Sequence, residues 1–196
     1  MGQIGTKSVL DVGEIVRSWD DGGQLLTRSG RVVNPLALQP AQIDITDIAH
    51  ALSHLCRFNG HCRVFYSVAE HSVRVSLALP PELAFWGLLH DATEAYLVDL
   101  PKALKSSRGL GDLYKLAEER AAAAIAQRFA LRLPMPALVK EIDLRLAASE
   151  LRDLMPSAGP MKPLDCEPLP QIIAPWSAEE ASTRFLARYQ EFQRLC

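Results

Sequence analysis

The sequence predicts a helical box, on three observations. Six segments repeat apolar residues at three- and four-residue steps, Ser or Asp capping signals precede several of them, and strand-type patterning is confined to one short hairpin. At 196 residues, with 48% hydrophobic and 22% charged side chains, the chain suits one globular domain with a sizeable core.

Residues 1 to 42 are expected to form an irregular N-terminal flap, in which Leu25 to Thr27 and Arg31 to Val33 flank a Ser29-Gly30 turn as a short hairpin would. Asp44 to Thr46 offer caps for a first helix reaching about Cys56, with Ile45, Ile48, Leu52 and Leu55 on one face and Asp47, His50, His54 and Arg57 on the other. A loop follows from Arg57 to His61. Ser67-Val-Ala-Glu70 has the form of a capping box, opening a helix that runs to about Leu79 with His71 on its inward line beside Val68, Val75 and Ala78.

Glu82 to Tyr96 is the most apolar segment, expected as one continuous, central helix. Val98 to Pro101 breaks it, Lys102 and Lys105 follow in a short turn or helix, and Gly109 and Gly111 mark a loop. A helix from Leu113 to about Ala130 comes next, then one from about Pro136 to Leu154, where Asp143 falls in the apolar line of Val139, Leu146 and Leu154 and Glu150 lies seven residues beyond it on the same side. The core is thus read as residues 43 to 155. Residues 156 to 196 are a Pro-rich connector, up to Pro170, and a helix capped by Ser177 and ending near Leu195, which serves packing or subunit contact.

A formal charge of -2 argues against a polycationic surface for a nucleic acid polymer. No apolar run approaches the roughly 20 residues that span a bilayer. Four cysteines without a CxxC pair, and no leader pattern, place the protein in the cytoplasm with reduced thiols.

Chemistry concentrates in His71, His90-Asp91, Glu94 and Asp143. Burying His90-Asp91 inside the most apolar segment is costly unless a metal or other partners accept them. Two imidazoles and two carboxylates form a mixed N/O set suited to one divalent transition ion such as Co, Mn, Zn, Ni or Fe, with Mg also compatible. Glu94 follows His90 by four residues and Asp91 by three, so a helix would place it on their face as a general acid or base. His50 and His54, four apart, are either a second metal pair or hydrogen-bonded side chains. No nearby carboxylate or Cys completes a site around them.

Cys56-Arg-Phe-Asn-Gly-His61, Tyr66 to Ser72, His90 to Lys105 and Val139 to Asp143 carry a resemblance to the HD-domain metal-dependent phosphohydrolases. The chain is most similar to the branch with bacterial 5'-deoxynucleotidases and the phage enzymes that strip phosphates from deoxynucleotides. The resemblance covers roughly residues 43 to 154. It implies an all-α HD-domain helical bundle in which His71, His90, Asp91 and Asp143 hold the ion and Glu94 is the catalytic carboxylate. It also implies that Asp99 checks the sugar near its 2' and 3' positions, that Lys105 and Lys140 bind phosphate, and that Arg57 is the arginine ahead of the first metal His. Arg57 and Phe58 are implied as substrate contacts, although Phe58 stands where Trp is common. Self-association as a homo-oligomer is implied as well.

The expected function is hydrolysis of small (deoxy)nucleotides, either of a monophosphate to nucleoside and phosphate or of a triphosphate to nucleoside and triphosphate. The alternatives are a nucleotide-sensing HD module without turnover, or a hydrolase of a cyclic dinucleotide or guanosine alarmone.

Overall fold

The computed structural model describes residues 12–156 and 164–194 and is mainly helical. Residues 1–11 of the expected flap, 157–163 of the expected connector, and Leu195 and Cys196 lie outside the described residues. The described residues begin with a short helix, α1 (Val12–Ser18), which the sequence reading did not separate from the flap. The expected hairpin pairs β1 (Leu25–Leu26) with β2 (Val32–Val33), Leu25 opposite Val33 and Leu26 opposite Val32. Two 3-10 turns, Pro35–Ala37 and Pro40–Gln42, lead into the bundle.

Helix α2 (Ile45–His54) starts where Asp44 caps it, its carboxylate accepting from the Thr46 backbone at 2.9 Å and the Thr46 hydroxyl at 2.7 Å. It ends two residues before the expected Cys56. Helix α3 (Val68–Ala78) is capped by Ser67, whose hydroxyl accepts from the Glu70 backbone at 3.1 Å. The reciprocal half of the expected capping box does not form. The buried Glu70 carboxylate instead accepts from Arg74, at 2.9 and 2.7 Å, and from the Trp176 backbone at 2.8 Å. These charge-assisted bonds tie α3 to the chain ahead of the last helix.

The expected helix from Glu82 to Tyr96 is two helices, α4 (Pro81–Leu89) and α5 (Glu94–Leu97), joined by a tightened turn. Ala92 donates to Leu89, Glu94 to Asp91 and Ala95 to Ala92, each three residues back, at 3.0 to 3.3 Å. Three-residue bonds overwind the chain locally, so Glu94 does not follow the α-helical register assumed from sequence. α6 (Lys102–Lys105) and α7 (Leu110–Arg128) come next. α7 begins before the expected Leu113 and takes in Gly111, because Asp112 accepts from the Gly109 backbone at 3.0 Å and organises its first turn. α8 (Ala137–Leu154) and α9 (Ala178–Gln193) match their expected spans closely, and the Ser177 hydroxyl accepts from Glu180 at 3.1 Å.

α3 is the central helix: α2, α4, α8 and α9 all pack on it. Its residues enter two apolar clusters, Val68, Ala69 and Val73 joining Ile48, Leu52, Leu88 and Phe185, and Val75 and Leu79 joining Val139, Ile142 and Leu146. Each fully buried aliphatic side chain in these clusters contributes up to about 1.5–3 kcal/mol. Gly87 lets α4 approach α3, since a Cβ there would lie 2.5 Å from Leu79 Cδ1 and 3.0 Å from Ser76 Cα.

Candidate metal centre and adjoining pocket

Three helices and the turn after α4 bring the polar residues of the interior to one point. α3 supplies His71, fully buried; the C-cap of α4 supplies His90, and the turn after it Asp91; α8 supplies Asp143. The two imidazole Nε2 atoms are 3.2 Å apart, and Asp143 Oδ1 lies 3.1 Å from that of His71 and 3.9 Å from that of His90. Asp91 Oδ2 lies 3.6 and 3.2 Å from the same two nitrogens. Ligands about 2.1 Å from a shared ion stand about 3.0 to 3.4 Å apart at right-angled or tetrahedral geometry. His71, His90 and Asp143 therefore form a group that could hold a metal ion, and Asp91 sits at its edge.

The hydrogen bonds behind the two imidazoles fix which nitrogens face inward. His90 Nδ1–H donates to the Gly87 carbonyl at 2.8 Å, and His71 Nδ1–H donates to Glu150 Oε1 at 2.6 Å. In their neutral form both rings present an Nε2 lone pair to the same point, where two lone pairs cannot bond each other. Metal-binding histidines carry this kind of backing. The other Glu150 oxygen accepts from Arg57 Nε at 3.0 Å, and Arg57 Nη1 lies 3.5 Å from Asp91 Oδ2.

The electrostatics favour positive charge at this point. Burial alone would push the His90 imidazole down, but the adjacent Asp91 and Asp143 carboxylates raise it to about 9. Asp91 itself, despite burial, is held well below the usual carboxylate range by His90, His71 and Arg57. Asp143 is likewise lowered against its burial by His71 and His90. The donor set thus fits a divalent cation, which would take up the charge that protons otherwise supply.

A pocket of about 840 Å³ opens beside the cluster, with Arg57, Phe58, His61, Glu94, Asp99 and Lys102 on its wall. Glu94 is buried, and burial, with Asp91 and Asp99 nearby, raises its carboxyl to about 9. The pocket wall holds three non-glycine residues with positive φ: Phe58 at 53°, Asn59 at 51° and Val98 at 61°. Such conformations cost about 1–3 kcal/mol each and gather at functional sites. The Arg57 guanidinium lies over the Phe58 ring, 5.6 Å from its centroid. The Tyr114 hydroxyl donates to the Val98 carbonyl, which pins the strained turn.

The remaining expected residues are distributed unevenly. Lys105 does not line this pocket; its ammonium pairs with Asp99 Oδ1 at 2.6 Å and Glu118 Oε1 at 2.9 Å. Lys140 is exposed on α8, one turn before Asp143. The His50 and His54 rings meet on α2 with centroids 4.2 Å apart, tilted by 39°, and His54 Nδ1–H donates to the His50 carbonyl at 2.8 Å, the hydrogen-bonded arrangement. Sequence reasoning put Glu150 on the right face and gave it no task. Its signal was available: a Glu on the buried line of a helix needs a cation or a donor.

No family model matches the sequence. Over 156 residues, covering 78% of this chain and 86% of the relative, the sequence is 42% identical to the uncharacterized protein YfdR of Escherichia coli (strain K12). It is 39% identical over 121 residues, 57% of this chain and 61% of the relative, to an uncharacterized protein of Rhodobacter capsulatus. On the extent of the first match, the chain belongs to the same family as YfdR.

Proposed function

We propose that this protein is a metal-dependent phosphohydrolase of the HD-domain type that removes phosphate from small (deoxy)nucleotides. The observation that carries the reading is the convergence of His71, His90, Asp91 and Asp143 next to a pocket walled by Arg57 and Glu94. His71, His90, Asp91 and Asp143 would hold a divalent ion, which when bound would polarise a phosphoryl oxygen and lower the pKa of a water.

The side chains account for the rest. Arg57, kept charged by Glu150 and Asp91 against its burial, offsets negative charge that builds on the phosphoryl group. Glu94, protonated near neutrality, gives its proton to the leaving ester oxygen as a water oxygen bonds to phosphorus and the bond from phosphorus to the ester oxygen breaks. Phe58 offers an aromatic face to the base or sugar, and Asp99 and Lys102 line the same pocket. The pocket volume lies in the range of small-ligand sites and suits a single nucleotide.

The test is hydrolysis of a panel of deoxynucleoside and ribonucleoside mono- and triphosphates by metal-stripped protein resupplied with Co, Mn, Zn or Mg. Metal-dependent release of phosphate or triphosphate is the expected result and identifies the substrate class. Binding without any turnover would replace the hydrolase reading with that of a nucleotide sensor.

A further inference from the structure

We infer that Glu150 is a positioning residue shared by the ion site and the pocket, one carboxylate oxygen fixing His71 and the other fixing Arg57. The inference deepens the phosphohydrolase reading and rests on it for the role of Arg57. Glu150 is fully buried, and a carboxylate removed from water is tolerated only where donors meet its oxygens. Each oxygen has its own donor, His71 Nδ1 at 2.6 Å and Arg57 Nε at 3.0 Å. Arg57 extends the chain of contacts to Asp91, 3.5 Å from its Nη1. Glu150 and Asp143 are two turns apart on α8, so one rigid helix sets a ligand and the support of a second ligand together.

The chemistry at this position requires a carboxylate rather than an amide. Both partners donate, and a carboxylate accepts from both. A glutamine of the same shape has one acceptor and one donor. Arg57 can only donate, so it takes the amide oxygen; the amide N–H is left facing His71, whose Nδ1 must then become the acceptor. That moves the ring proton to Nε2, onto the nitrogen that faces His90 and Asp143. Glu150→Gln therefore traps His71 in the tautomer that cannot bind an ion, while Arg57 stays in place.

Two readouts separate this from a general loss of packing. The first is Co²⁺ affinity of the metal-stripped chain by absorption titration, expected to fall about 10- to 100-fold in Glu150→Gln. The second is ¹⁵N-detected NMR of the metal-free chain at a pH high enough for both imidazoles to be neutral, expected to show His71 as Nδ1–H in the wild type and Nε2–H in the variant. Unchanged Co²⁺ affinity in a folded Glu150→Gln chain would overturn the inference, and so would an Nε2–H tautomer of His71 in the wild type, a measurement that needs no variant. If Co²⁺ affinity and tautomer shift as expected while the Co²⁺-loaded wild type cuts no nucleotide, the positioning role at the ion site stands and the hydrolase reading fails. If the wild type cuts nucleotide and Glu150→Gln keeps full Co²⁺ affinity, the reverse holds.

Discussion

Asp91 and Glu94 are three residues apart on one tightened turn, yet their environments drive their carboxyls in opposite directions. Asp91 has His90, His71 and Arg57 around it and stays ionised against its burial. Glu94 is buried with Asp91 and Asp99 as neighbours, and its pKa rises to about 9. Pairs of acids separated in this way divide into a charge holder and a proton carrier. Glu94→Gln should therefore lower turnover by about 10²–10⁴-fold while Co²⁺ stoichiometry stays at the wild-type value. Loss of metal along with activity would move Glu94 into the ligand set. Asp99, exposed at the pocket wall and bonded to Lys105, tests the sugar-reading role. Asp99→Ala should relax discrimination between deoxyribose and ribose in the ratio of kcat/KM, and an unchanged ratio would remove that role.

The helices divide into those whose positions matter for packing and those that aim a side chain. Gly87 sits where α4 meets α3, one turn before His90. A methyl group there would press on Leu79 and the Ser76 backbone, so Gly87→Ala is expected to cost about 1–3 kcal/mol in urea unfolding and to weaken Co²⁺ binding through His90. Asp44 makes a separate prediction, remote from the ion site. Its carboxyl is lowered by bonds from Thr46, so its stabilising effect is fully present above the unfolded value and disappears as pH falls through the lower folded value. Asp44→Ala should cost about 1 kcal/mol at neutral pH and much less at the acid end of the stable range, as read from urea midpoints. Caps and periodicity made these elements legible in the sequence: Ser67, Ser177 and Asp44 cap where expected, and α8 and α9 run as their apolar lines imply. The break at His90 was not legible, because three-residue and four-residue hydrogen bonding leave the same apolar pattern over so short a stretch. Glu70 likewise has the sequence of a reciprocal cap, but its choice of Arg74 and Trp176 depends on a segment 106 residues away.

Across the whole molecule, the His71, His90 and Asp143 group that could hold an ion was legible in the sequence, and the surroundings of Lys105 were not, for one physical reason. Buried His and Asp on apolar helix faces have few alternatives to a shared partner, whereas a lysine near a pocket can be claimed by any carboxylate. Lys105 illustrates the second case, being held between Asp99 and Glu118. Under the proposed reading, the ion would also be a structural element. An ion that binds only the folded chain stabilises it by mass action, about 2.7 kcal/mol at a hundredfold excess over Kd, so removing metal with a chelator should lower the melting temperature. Among the described residues, no helix is long and apolar enough to cross a membrane. The most direct test of the account is titration of the metal-stripped chain with Co²⁺, followed by visible absorption, for the wild type and for His90→Ala and Asp143→Ala. One ion per chain in the wild type, lost or strongly weakened in both variants, is the expected result. Absent binding in the wild type, or binding that neither substitution disturbs, would contradict it.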